Sequence, residues 1–162
     1  MNKDSSIYTR LENQYETLFS FLNDFKEYEL KQRPTPNKWS IYEHLAHLAR
    51  YQEIFDERIE RILDEHEPKL PRYRAEDDPY FEEWFMYSSS EIMGNYVVQR
   101  QAIQELLTNL SSQQFMRKGI HPVFGAMSIH YWLEFFLLNE AHHLYSIFRI
   151  RQRMLAEKGT GD

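Results

Sequence analysis

The sequence predicts an all-α fold: a four-helix bundle forming one domain over residues 1–162. Three observations carry this. Apolar residues recur at alternating spacings of four and three in four separate segments, the period of an amphipathic helix. No segment alternates with period two, and no Asn-Gly or Asp-Gly hairpin signal occurs. Finally, 162 residues with only five glycines and six prolines are enough for one real core and too poor in turn formers for a β-rich or disordered chain.

The first helix is expected at about residues 5–29, with Ile7, Leu11, Gln14, Leu18, Phe21 and Phe25 along one face. The two prolines of "RPTPNK" then forbid helix. A second helix, at about 40–65, starts where Ser40 and Glu43 make a capping box, and its stripe runs Ile41, Leu45, Leu48, Gln52, Phe55, Ile59, Ile62. The polar, proline-containing stretch "EHEPKLPRYRAEDDP" is too long for a tight turn between helices. It suits a crossover that makes helices two and three parallel, in up-down-down-up order. The third helix, at about 89–110, carries Ile92, Tyr96, Gln99, Ile103, Leu106 and Leu110, and Ser111 with Gln114 caps a short extra turn. The fourth, at about 128–156, carries Ile129, Leu133, Phe136, Glu140, His143, Ile147, Ile150 and Met154, and "AEKGTGD" reads as a frayed tail.

Composition narrows the function. A net charge of -6, with acids and bases interspersed, offers no basic stripe for nucleic acid. The absence of cysteine removes thiolate metal sites, a cysteine nucleophile and disulfides. No apolar run approaches the roughly 20 residues of a membrane span, and "MNKDSSIYTRLENQ" lacks the apolar core of a signal peptide, so a cytoplasmic protein without a membrane partner is expected.

The stretch "WLEFFLLNEAHHLYSIF" raises a sharper question, because an apolar helix there carries Asn139, Glu140, His142 and His143. A carboxylate buried without a partner costs several kcal/mol, comparable to the net stability of a small domain. One solution is a buried polar layer in which Gln14, Gln52 and Gln99 contribute amides and Arg100 a countercharge. The other is a metal ion held by histidines from two helices, for which "WSIYEHLAHLARY" supplies His44 and His47 on one face. Spacing does not choose between those two histidines.

The order "RPTPNKWSIYEHLAHLARYQE", then "LPRY", then "HPVFGAMSIHYWLEFFLLNEAHHLYSI" resembles the DinB/YfiT-like superfamily of metal-dependent four-helix-bundle proteins over nearly the whole chain. In that family a Trp-Ser-Ile helix start leads to a metal-binding histidine eight residues after the tryptophan, which falls on His47, counted from Trp39. A His-x-x-x-His pair in the last helix falls on Asn139 and His143, so its first member is replaced here. The resemblance implies an up-down-down-up bundle, a homodimer, and a divalent metal (Zn, Ni or Mn). It also implies thiol chemistry, in which the metal activates a small thiol of the bacillithiol type for transfer to an electrophile.

Asparagine at 139 offers an amide oxygen in place of an imidazole nitrogen, and such oxygen ligands suit Mg, Ca or Mn better than Zn or Ni. Glu140 lies nearer the seam than His142, and completes a candidate metal set of His47, His143, Asn139 and Glu140, with Glu140 also the candidate catalytic base. Two readings follow: a metal-dependent thiol S-transferase, or a non-catalytic dimeric bundle with a degenerate site, either binding a small ligand without metal or associated with stress. His121, before Pro122, is expected to stabilise its loop.

Overall fold

The computed structural model describes residues 5–159, so the ends of the 1–162 domain, including the last three residues of "AEKGTGD", lie outside the described residues. The first bundle segment comprises helices α1 (Ser5–Asn13), α2 (Thr17–Leu22) and α3 (Glu27–Leu30), with a 3₁₀ turn at Gln14–Glu16. It thus differs from one continuous helix over 5–29. Asn13 leaves helical geometry at φ -123°, and the Gln14 amide reaches across to Leu137 O (2.9 Å) and Glu140 (2.7 Å), so tertiary hydrogen bonds replace a regular turn. Helix α4 spans Ile41–Asp64, α5 Ser89–Asn109, α6 Ser112–Phe115 and α7 Ile129–Gly159.

Local chemistry sets the starts of three of these helices. Ser40 accepts from Glu43 N while Glu43 accepts from Ser40 N, and Ser111 and Gln114 do the same for α6. A third reciprocal pair, Ser88 with Glu91, opens α5.

Cross-helix contacts give the directions. Arg10 meets Glu134 and Asp24 meets Arg151, so α1 and α2 run parallel to α7; Tyr42 meets Tyr87, just before α5, and Gln52 meets Arg100 farther along both helices, so α4 and α5 are parallel. His44 against His143 and Phe55 against Phe136 make α4 and α7 antiparallel. The bundle is up-down-down-up.

On α5 the buried face is Ile92, Tyr96, Arg100, Ile103 and Leu107, so Arg100 and Leu107 occupy interior positions expected for Gln99 and Leu106. Both patterns are built from spacings of four and three, and neighbouring helices choose which one faces inward. The core forms two apolar clusters, one around Leu11, Phe55, Ile59, Trp132 and Phe136, the other around Leu18, Leu45, Leu48, Ile92 and Ile147.

One element departs from the all-helical expectation. Residues Lys118–His121 (β1) and Gly125–Ser128 (β2) pair as an antiparallel hairpin before α7. Four-residue strands are too short to register an alternating pattern. Gly125 turns the chain at φ +71°, and His121 Nδ1 accepts from the amides of Val123 (3.1 Å) and Phe124 (3.2 Å), closing the loop. At Gly119 a Cβ would stand 2.8 Å from the Leu70 side chain and 2.9 Å from that of Ile62, so glycine lets this hairpin close on α4 without displacing those side chains.

Candidate metal centre

Between the two apolar clusters lies a polar layer that answers the question posed by Glu140. Its side chain is 1% exposed, and both oxygens are occupied: Oε1 by the Tyr96 hydroxyl and Arg100 Nη2, Oε2 by Gln14 Nε2 at 2.7 Å. Arg100, itself fully buried, also donates to Gln52 Oε1 (3.1 Å) and Leu11 O (3.0 Å). Its guanidinium lies 5.0 Å from the Phe136 ring. Glu140 is therefore placed as the counterion of Arg100. Gln99 stands outside this layer and donates to Glu53.

One turn away, α4 and α7 bring histidines together. The capping box at Ser40 starts α4 so that His44 and His47 face α7, where Asn139 and His143 lie one turn apart. The rings of His47 and His143 are 4.2 Å apart between centroids, and Nδ1 of His44 is 2.9 Å from Nδ1 of His143. One of that pair donates and the other accepts, which leaves Nε2 of His143 for another partner. His142 is exposed and only edges against His143.

Aromatic rings wall the cluster. Trp39 packs on His44, His47 and His143, while Tyr73 and Phe81 close on His47 from the crossover. Burial in this low-dielectric setting disfavours the charged form, and neighbouring imidazoles add repulsion. His44 and His47 are each pushed down to about 4, and His143 to about 2. All three are neutral at pH 7, each with one lone-pair nitrogen; when His143 donates from Nδ1 to His44, the lone pair of His143 sits on Nε2.

Both nitrogens of His47 and Oδ1 of Asn139 are buried without a hydrogen-bond partner. The Asn139 amide lies close enough to favour the protonated form of His47 slightly, yet it makes no hydrogen bond of normal geometry. Such orphaned groups cost about 1–3 kcal/mol each unless something binds them. Neutral nitrogens of His47 and His143 with an amide oxygen from Asn139 make a donor set that fits a divalent cation. Glu140 is saturated elsewhere, and among the described residues no three His, Cys, Asp or Glu side chains converge in a way that holds a metal. Of the four residues expected as ligands, the structure thus groups His47, His143 and Asn139 and sets Glu140 in the ion pair. His44, left undecided by spacing, joins the cluster by orienting His143; Tyr73 and Phe81 carry no local signal, since the crossover delivers them from far along the chain.

Known proteins are similar to this chain in sequence and in fold. The chain is 24% identical over 148 residues to YuaE, an uncharacterised protein of Bacillus subtilis (strain 168), covering 82% of this chain and 90% of that one. Its fold matches YfiT from Bacillus subtilis, described as a probable metal-dependent hydrolase with an unusual four-helix bundle topology, with a TM-score of 0.79, 19% identity, and coverage of 95% and 90% of the two chains. TT2238, a four-helix bundle protein, matches with a TM-score of 0.66 and 18% identity, covering 90% of this chain and 98% of that one. The model of the DinB superfamily matches residues 10–147, a span holding every residue of the polar layer and the histidine cluster, and the chain belongs to that superfamily.

Proposed function

We propose that the protein is a metal-dependent enzyme that binds a divalent cation through His47, His143 and Asn139 and presents a small thiol to an electrophile. The observation that supports it is the set of buried, unpartnered donors, His47 Nδ1 and Nε2 with Asn139 Oδ1, beside two further neutral imidazoles. A metal bound there supplies a lowered pKa to a bound thiol or water. The remaining work falls to the chain. His44 orients the His143 ring, the Trp39, Tyr73 and Phe81 rings exclude water, and the Arg100–Glu140 pair fixes the rotation of α7 from which Asn139 and His143 project. With no cysteine in the chain, the sulfur comes from the substrate.

The test is elemental analysis of untagged protein after incubation with Zn, Ni or Mn salts. Stoichiometric uptake that disappears in His47→Ala and His143→Ala, with the helical circular dichroism unchanged, is expected; normal metal content in both variants would sink the reading. The His44–His143 hydrogen bond and the saturated Glu140 favour a second reading, a metal-free polar cluster in a non-catalytic ligand-binding bundle. Under it neither the natural protein nor the variants take up metal. The proposal includes a cytoplasmic homodimer. Exposed Tyr131, Leu138 and Tyr145, one every seven residues along α7, are the apolar face open to a second copy. Sedimentation velocity on Leu138→Glu tests that face, and an unchanged dimer would exclude it. Among the described residues no helix is long and apolar enough to cross a membrane.

A further inference from the structure

Among the described residues the buried charges are paired, with one exception. Arg100 faces Glu140, Arg50 faces Asp78 and Glu53, and Glu43 faces Arg33. Arg58 is 6% exposed, yet its guanidinium meets only neutral groups: the Tyr51 hydroxyl at 3.1 Å, Pro71 O at 2.8 Å, and the faces of Tyr51 and Trp132 at 5.7 and 5.3 Å. Among the described residues no carboxylate lies within ion-pair distance of it. A guanidinium does not deprotonate, so Arg58 keeps a full positive charge that hydrogen bonds and ring faces solvate but no countercharge neutralises.

Arg58 lines a cleft of about 280 Å³ between α4 and the crossover, with Ile54, Leu70 and Tyr73 as its less polar walls. The other charges there are engaged: Arg61 with Glu65, Arg74 with Asp77, Asp78 with Arg50, and Glu57 approaches Arg50 at 3.8 Å. What remains is Arg58 inside and Arg72, exposed, on the rim. Their two fields converge on His121, which burial and these cations hold below the ordinary histidine range. Tyr51, the acceptor of Arg58, stacks on His47 with centroids 5.8 Å apart, and Tyr73 touches His47 from the same cleft.

We infer that this cleft binds the anionic group, carboxylate or phosphate, of a small molecule, with Arg58 as the principal donor and Arg72 as the second. A guanidinium presents parallel N–H donors to two oxygens of such a group. Given the metal site proposed above, on which this step alone rests, the substrate is an anionic small molecule anchored by its charge beside His47.

Isothermal titration calorimetry of the untagged, metal-free protein at low ionic strength, with sodium phosphate and with sodium succinate against matched chloride, tests the inference. Saturable binding of one anion is expected, and which one binds distinguishes phosphate from carboxylate recognition. Removing a charged donor weakens binding about tenfold or more in Arg58→Gln and less in Arg72→Gln, while Arg153→Gln, a distant charge-matched control, binds normally. If Arg58→Gln fails to fold, the exposed Arg72→Gln decides. No saturable binding of either anion, or undiminished binding in Arg72→Gln and in any folded Arg58→Gln, overturns the inference. Metal uptake measured on the same samples separates the two proposals: metal without anion binding removes this one, and anion binding without metal removes the other.

Discussion

Replacing Glu140 by leucine leaves the Arg100 guanidinium, fully buried in the polar layer, without its carboxylate. Breaking one side of a buried ion pair costs about 3–5 kcal/mol, a large part of the roughly 5–15 kcal/mol that holds a domain together. Glu140→Gln keeps an oxygen for Tyr96 and Arg100 but sets an NH₂ against Gln14 Nε2, which now donates across 2.7 Å, and removes the countercharge; about 2–3 kcal/mol is the expected cost. The double variant Glu140→Leu/Arg100→Met discards both charges together. It is expected to lie within about 2 kcal/mol of the natural protein, because the desolvation cost of both ions disappears with their attraction. Urea unfolding at pH 7, followed by circular dichroism, reads all three values. Single-variant costs below about 1 kcal/mol, or a double variant equal to the sum of its singles, would refute the pairing argument. Metal uptake in Glu140→Gln equal to that of the natural protein is also expected; its loss would return Glu140 to the ligand set.

Asn139→His restores an imidazole one turn from His143 and is expected to tighten Zn or Ni binding about tenfold or more, measured by competition with a chromogenic chelator. Unchanged affinity would mean that position 139 faces no metal. In the metal-free protein, His44 and His47 titrate at about 4 and His143 at about 2 when folded, against 6.5 when free. Below 6.5 the unfolded chain binds protons that the folded chain refuses, so stability present at pH 7 is lost as the pH falls toward 4, on the order of 3 kcal/mol for His47 alone. Melting temperatures between pH 7 and pH 5 should fall, a window above the carboxylate range; a flat profile would contradict the burial of these rings. Gly119→Ala places a Cβ 2.8 Å from Leu70 and 2.9 Å from Ile62, and a loss of about 1–3 kcal/mol in urea unfolding is expected; a neutral result would show that the hairpin yields easily.

How much of this was legible in the sequence depends on the range of the interactions involved. Helix starts at Ser40 and Ser111 are local, since the capping side chain and its amide lie three residues apart, and the sequence states them. The four apolar stripes likewise predict the bundle, because a periodic face has to be buried somewhere. The composition also shows that any reactive sulfur must be brought in from outside. The polar partners of Glu140 were visible as residue types, with Arg100 and Gln14 among the candidates, but not as contacts. Which of Gln99 and Arg100 turns inward is a rotation of α5 of about 100°, set by the neighbours of the helix. The break after Asn13 follows from a hydrogen bond across more than a hundred residues, and the hairpin from four-residue strands that leave no periodic trace. Tertiary structure alone decided that Glu140 answers Arg100, that His44 joins His143, and that Arg58 is left without a counterion, because each depends on which distant groups the fold brings within a few ångströms.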